Sequence, residues 1–152
     1  MKAPFVTIIT VNYNGLYLLP DCLRSLSDLN YPADKLEIIV VDNNSNDGSV
    51  DFIKKNFPGV TVIINKINNY CMANNLGIKR SKGELVALIN NDTEVDKQWL
   101  SRAVDKIMSD TSIGAVGSKI LSTDGSLQSV GHQEYPDFYW GDIGFHARDQ
   151  QD

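Results

Sequence analysis

The sequence predicts an α/β fold: a mostly parallel sheet with helices on both faces and a β-hairpin toward the C-terminal end. Short β-branched runs alternate with segments of helical period, an order that implies parallel pairing through right-handed crossovers. The leading run is apolar nearly throughout rather than alternating, the pattern of a strand covered on both faces. An Asp-Gly turn between two later strand-like runs marks the hairpin.

Phe5-Val6-Thr7-Ile8-Ile9-Thr10-Val11 is the first strand, broken by Asn12-Tyr13-Asn14-Gly15. Leu16, Leu19, Cys22, Leu23, Leu26 and Leu29 then recur at helical spacing. Pro20 suits that helix only in its first turn, where a missing N–H removes no internal hydrogen bond. Leu36-Glu37-Ile38-Ile39-Val40-Val41 is the second strand, ending at Asp42-Asn43-Asn44-Ser45-Asn46-Asp47-Gly48. A short helix from Ser49 carries Val50, Ile53 and Phe57 and stops at Pro58-Gly59; Val60-Thr61-Val62-Ile63-Ile64 is the third strand. Residues 74–80 read as a helix with Lys82-Gly83 as its exit. The fourth strand, residues 84–89, ends at Asn90-Asn91-Asp92-Thr93.

A helix from Asp96 presents Trp99, Leu100, Ala103, Val104, Ile107 and Met108 on one face. Ile113-Gly114-Ala115-Val116-Gly117 reads as a small-residue strand, and residues 119–122 and 126–130 flank the Thr123-Asp124-Gly125 turn. From Gly131 onward aromatics, Gly, Asp and His follow without clear period. That stretch is either a loop or an element without its packing partner.

At 152 residues and 42% hydrophobic content, the chain has the size of one ordinary domain, which buries roughly 68–70% of its unfolded surface. The net charge of -5, with no basic block, argues against a nucleic-acid partner. Cys22 and Cys71 lack a second Cys or His at metal-ligand spacing and read as unpaired thiols of a reducing compartment. No secretory signal precedes the first strand, and no apolar stretch approaches the ~20 residues that cross a bilayer. Membrane association would come through a partner, a lipid substrate or other sequence.

Ligands of such sheets bind outside the carboxyl ends of the strands. Three of the four leading strands end in polar turns, at Asn12-Tyr13-Asn14, at residues 42–47 and at Asn90-Asn91-Asp92, all expected on one sheet edge. Asp92, beside two amides and the Thr93 hydroxyl, suits a hard divalent cation. The other reading makes Asp92 or Thr93 the N-cap of the next helix, and spacing alone does not choose between them. Asp42-Asn43-Asn44-Ser45 offers donors and acceptors for a base edge or a ribose, whereas Asp47 or Ser49 reads better as a helix cap. Tyr13 could pack beside a nucleobase or be structural. The missing G-x-G-x-x-G and G-x-x-x-x-G-K-[ST] patterns argue against a dinucleotide oxidoreductase and a P-loop NTPase. His132 and His146 have neither a nucleophile nor a metal spacing and read as non-catalytic.

Together, VTIITVNYNG at 6–15, EIIVVDNNSNDGS at 37–49, Asn74-Asn75-Leu76-Gly77-Ile78 with Gly83-Glu84, and LINNDT at 88–93 resemble family 2 glycosyltransferases of the GT-A fold. The flavour is that of rhamnosyltransferase-like members, and the resemblance runs from Val6 to about Leu127. It implies a Rossmann-like nucleotide-sugar-binding sheet over residues 1–130, with 131–152 beginning an acceptor-side segment. It implies inverting transfer of a sugar from a nucleoside-diphosphate sugar to a saccharide or lipid-linked acceptor, in polysaccharide or cell-surface glycan synthesis. Val11, Asn12 and Tyr13 would line the nucleobase pocket, Asn14 would also bind the nucleotide, and Asp42 and Asn43 would reach the base or ribose. Asn74 matches a position where many relatives have an Arg near the diphosphate, and Asn91 would meet the nucleotide. Asp92 and Asn90 would hold Mg2+ or Mn2+. The implied setting is cytoplasmic, at the inner membrane face for a lipid-linked acceptor, and is compatible with a homodimer.

Three departures stand out. Asn90 replaces an acidic residue, which makes the metal depend more on the diphosphate. Asn69-Tyr70 stands where many relatives have Gly-Phe, and Asn is the non-Gly residue that best tolerates φ > 0. Nothing after Gly131 matches the family's acidic Glu-Asp motif; Asp137, Asp142, Asp149 and Asp152 lie in other contexts. No catalytic residue is therefore assigned in this chain, and the general base is expected downstream of Asp152. An alternative is a catalytically incomplete nucleotide-binding domain that acts as an interaction module. A nucleotidyltransferase would carry a Gly-rich, basic loop, which Asn12-Tyr13-Asn14-Gly15 is not.

Overall fold

Val6–Asn12 forms β1, Leu36–Asp42 β2, Thr61–Ile64 β3 and Leu85–Asn90 β4. The four are parallel and lie in the order β3-β2-β1-β4. Helices α1 (Leu19–Ser27), α2 (Ser49–Asn56) and α3 (Tyr70–Arg80) connect them, and α4 (Trp99–Met108) follows β4. This computed structural model describes residues 3–136 and 139–149. The chain divides into two compact units, Met1–Ser101 and Arg102–Asp152.

In the first unit the path steps from β1 to β2 to β3 in one direction, then back across β1 to β4. Right-handed crossovers therefore place α1 and α2 on one face of the sheet and α3 on the other. On the α3 face Ile9, Val11, Ile39, Val41 and Ala73 form a buried cluster, with Ile63 and Leu76 packed against it. A Cβ on Gly77 would sit 2.7 Å from Ile9 Cγ2 and 3.2 Å from Val41 Cγ2, so only glycine lets α3 lie this close. On the opposite face Ile8 and Val40 are equally closed, as are Leu19, Leu23 and Leu26 of α1 and Ile53 of α2. Each such aliphatic side chain contributes about 1.5–3 kcal/mol on burial, which is why β1 and β2 are apolar on both sides. The expected α/β architecture is borne out.

Local chemistry sets the element ends. Pro20 falls in the first turn of α1, as its missing N–H requires. Leu16 precedes the helix, in the turn after β1. α3 begins at Tyr70 rather than at the expected residue 74. Asn69 is its N-cap, at φ -144°, with a side chain that accepts from Met72 N at 2.9 Å. The φ > 0 turn expected of Asn69 is thus absent; the Asn serves as an oxygen acceptor on an extended backbone.

The second unit corrects one expectation and decides between two alternatives. Residues 113–117 form no strand; Gly114, Ala115 and Gly117 are exposed and have little side chain to bury against a partner. The stretch after Gly131 is not a loop: β7 (His132–Tyr135) and β8 (Tyr139–Asp142) pair antiparallel. The hairpin at the Asp-Gly turn forms as expected, from β5 (Ile120–Leu121) and β6 (Leu127–Ser129). Gly125 sits at φ +82°, and Asp124 Oδ1 accepts from the Ser126 N–H and hydroxyl. Lys119 Nζ closes this unit on Asp149 at 2.8 Å.

Candidate functional site

The strand ends are level. Asn12 pairs in register with Asp42, and Val11 with Asn90. Strand order reverses between β1 and its neighbour β4, the switch point at which a crevice opens in a parallel sheet. The three polar turns expected at one edge meet there.

A continuous polar network joins them. Asn12 is fully buried; its Nδ2 donates to Asp42 Oδ1 at 2.8 Å and to Ser45 Oγ at 3.1 Å. Its Oδ1 accepts from Asn91 Nδ2 at 3.0 Å. Asp42, 1% exposed, also accepts from the Ser45 hydroxyl at 2.7 Å and the Ser45 N–H at 2.8 Å. Asn14, at φ 49°, donates its N–H to Ser45 Oγ, and its side chain accepts from Asn46 N. Asp42, Asn12 and Asn43 therefore form the closed floor of the site, while Tyr13 is 51% exposed above the strand end. Val11, expected at the nucleobase, has its side chain in the α3-face cluster.

The third strand contributes as well, which the sequence reading missed. Asn65, just past β3, donates to Asn43 Oδ1 at 2.7 Å and to Ile67 O at 2.6 Å. Asn43 Nδ2 in turn donates to Asn68 Oδ1. The signal was present in the asparagines at 65, 68, 69, 74 and 75. Asn74 is nearly buried and gives its Nδ2 to Tyr70 O in its own helix.

The N-cap of α2 is Gly48, at φ +87° and without a side-chain cap, so neither Asp47 nor Ser49 fills that position; Asp47 precedes it and ties the turn together. It accepts from the N–H of Leu16 at 2.8 Å, from the N–H of Ser49 at 3.0 Å and from the Ser49 hydroxyl. Burial alone would raise its carboxyl, but the Ser49 hydroxyl and the backbone N–H groups outweigh that and hold it below the usual range.

Asp92 does not cap a helix, and neither does Thr93. α4 starts only at Trp99, and Asp96 accepts the hydrogen bonds at its entry, from Gln98 N to Oδ1 and from Trp99 N to the carbonyl. Asp92 is exposed and accepts one long contact, 3.4 Å from Thr93 Oγ1. Asn90 Oδ1 accepts from Tyr70 OH at 3.0 Å. Beneath the loop, burial first, then the negative charges of Asp92 and Glu94, push the Cys22 thiol up to about 12, so it stays an inert thiol.

Among the described residues no three His, Cys, Asp or Glu side chains gather to hold a metal ion. Among the described residues the candidate donors are the exposed Asp92 carboxylate and the Asn90 amide oxygen. That donor set fits a hard cation whose other positions are filled by phosphate oxygens and water, as is usual for Mg2+. His132 is exposed, with Nε2 3.1 Å from Asp142 Oδ1, and the His146 ring lies 4.0 Å from that of Phe145; among the described residues neither meets a Ser or Cys nucleophile. Asp137 and Asp152 lie outside the described residues.

Comparison with known proteins follows the same line. The family model "Glycosyl transferase family 2" matches residues 7–152. Glycosyltransferase AglE of Haloferax volcanii is 32% identical over 124 residues, 79% of this chain and 40% of AglE. Mannosyltransferase PcManGT of Pyrobaculum calidifontis, solved with GDP-Man and Mn2+, superposes with a TM-score of 0.66 at 27% identity, over 80% of this chain and 37% of its own. Staphylococcus aureus TarS (residues 1–349, with UDP) superposes at 0.63 with 24% identity, over 68% of this chain and 32% of its own. The chain thus spans two fifths or less of the length of these relatives. Among the described residues no helix is long and apolar enough to cross a membrane.

Proposed function

The chain belongs to glycosyl transferase family 2, and from that premise we propose that it is the donor-binding part of an inverting glycosyltransferase. The full enzyme moves a sugar from a nucleoside-diphosphate sugar to a saccharide or lipid-linked acceptor, in polysaccharide or cell-surface glycan synthesis. One observation carries this reading: the turns at 12–15, 42–49 and 90–93 converge at the switch point between β1 and β4. The relative solved with GDP-Man and Mn2+ supports a nucleoside diphosphate and a divalent metal as ligand classes.

The exposed Tyr13 ring takes the nucleobase, over the floor built by Asn12, Asp42 and Asn43. Asn14, Asn74 and Asn91 stand beside the ribose and diphosphate. Asp92 and Asn90 would hold Mg2+ or Mn2+ beside the diphosphate. When bound, the metal supplies positive charge that stabilises the departing diphosphate. No residue of this chain is assigned as the general base, the group that deprotonates the acceptor hydroxyl for attack at the anomeric carbon. Asn90 in place of an acid favours a rhamnosyltransferase-like specificity and makes a thymidine-linked donor the first to try. Work on a lipid-linked acceptor would place the enzyme at the cytoplasmic membrane face.

Thermal unfolding with UDP, GDP or dTDP, each with and without Mn2+, tests the reading. A nucleotide at 100 times its Kd stabilises by about 2.7 kcal/mol, a shift of roughly 5–10 °C for a domain of this size. Flat melting curves across all three would sink the nucleotide assignment.

A further inference from the structure

Asn12 sits with no exposure between two loops that supply different parts of the site. A carboxylate oxygen only accepts, so Asp42 dictates that the NH2 end of the Asn12 amide faces it, at 2.8 Å. The carbonyl end of Asn12 then faces Asn91, which has to present its own NH2, at 3.0 Å. The Asn91 carbonyl oxygen is left without a hydrogen bond among the described residues. Polarity passes from Asp42 through Asn12 to Asn91, across the gap between β1 and β4.

Gly15 makes room for this contact. A Cβ there would lie 2.5 Å from Asn91 Nδ2 and 2.6 Å from Asn12 Oδ1, between donor and acceptor. No other side chain leaves the bond intact.

We propose that Asn12 and Gly15 are positioning residues: through this relay they hold the Asn90-Asn91-Asp92 loop against the Asp42 loop and leave the Asn91 carbonyl oxygen free for the ligand, beside Asp92. The ligand-side consequence rests on the nucleoside-diphosphate reading; the strut between the loops does not.

Asn91→Asp separates the relay from simpler roles. It keeps an oxygen at nearly the same place and loses the donor. An acid at this position would serve a metal or a ribose hydroxyl as well or better, and Asn91→Ala, which adds no charge beside the diphosphate, separates the lost donor from charge repulsion. In the relay, the new carboxylate faces Asn12 Oδ1 acceptor to acceptor. Titration with UDP, GDP and dTDP in Mn2+ should show an affinity loss of about tenfold, the scale of one lost hydrogen bond at a buried site. Gly15→Ala alters no polar side chain of the site, puts its Cβ against Asn91 Nδ2 and Asn12 Oδ1, and should give a similar loss. The double variant should be little worse than either single one, because both break the same contact.

Hydrogen exchange without nucleotide gives the second readout. The Thr93 N–H, which bonds Asn90 O at 3.3 Å, should exchange faster in both variants. Undiminished affinity in Asn91→Asp, or unchanged Thr93 exchange in both variants, overturns the proposal. A wild-type chain that binds no nucleotide defeats the nucleotide reading instead, and the exchange comparison alone then decides the relay. If either variant fails to fold by circular dichroism, Asn91→Ala removes the donor without bulk or charge and is judged by the same two readouts.

Discussion

Replacing Asp42 by Asn tests whether the floor of the site is scaffold or merely a ligand contact. The change preserves shape and removes the charge. Asp42 is 1% exposed and accepts three hydrogen bonds, from Asn12 Nδ2 at 2.8 Å, Ser45 Oγ at 2.7 Å and Ser45 N at 2.8 Å. An amide has one acceptor and one donor end. With its NH2 at the Oδ1 position it meets the NH2 of Asn12; at the Oδ2 position it meets the N–H of Ser45. The less damaging orientation still loses one bond and strips charge from the other two. Hydrogen bonds to charged groups contribute about 1.5–3 kcal/mol each, so the expected loss is about 2–4 kcal/mol. Urea unfolding followed by circular dichroism should show it in the midpoint, with an unchanged denaturant slope. On heating, the melting temperature should drop by roughly 5–15 °C. An Asp42→Asn chain within about 0.5 kcal/mol of wild type, the range of an ordinary surface change, would refute the scaffold argument and return Asp42 to the ligand alone.

Asp92→Ala should behave in the opposite way. The side chain is exposed with one 3.4 Å contact, so unliganded stability should stay within about 0.5 kcal/mol while the Mn2+-dependent part of nucleotide stabilisation disappears; persistence of that part in the melting curves would remove Asp92 from the metal site. Asn69→Ala should cost about 1 kcal/mol through the lost cap on Met72 N, and Asn69→Gly only a few tenths; urea midpoints that rank the two the other way would contradict the cap. The acid limb of stability offers a further check. For Glu37, burial opposes ionisation, but the Thr7 hydroxyl and the N–H and ammonium of Lys82 hold its carboxyl low, and Asp47 is held low as described. Folded values below unfolded ones give stability that is present above the usual values of 4.5 and 3.8 and is lost as pH falls through the folded values. Unfolding of wild type should therefore ease steadily below about pH 4.5, and Glu37→Gln with Asp47→Asn should flatten that slope; parallel pH profiles would show that these carboxylates are not the cause.

The local pattern of the chain carried most of the fold. Unbroken apolar runs at β1 and β2, helical spacing of leucines in α1, Pro20 in a first turn and Asp-Gly at a hairpin are short-range signals, each readable within one element. Where side chains gave no period, loop and strand stayed open as alternatives. β7 and β8 are held by cross-strand pairing of residues such as His132 and Asp142, and pairing between partners leaves no mark on either strand alone. Residues 113–117 carried an apolar run, but a strand also needs a neighbour to accept its backbone hydrogen bonds.

The polar strand ends were equally plain, and with them the edge of the sheet where a ligand belongs. Whether Asp92 was a cap or a free carboxylate was not, because that depends on where α4 starts and which side chain greets it. The sequence alone thus determined an α/β sheet with asparagine- and aspartate-rich turns at its carboxyl edge. Only the tertiary structure decided which of those groups are spent on one another. Asn12 meets Asp42 across 30 residues and Asn91 across 79, contacts set by parallel register rather than by spacing. The closing of those bonds is what leaves Asp92 and the Asn91 oxygen unspent.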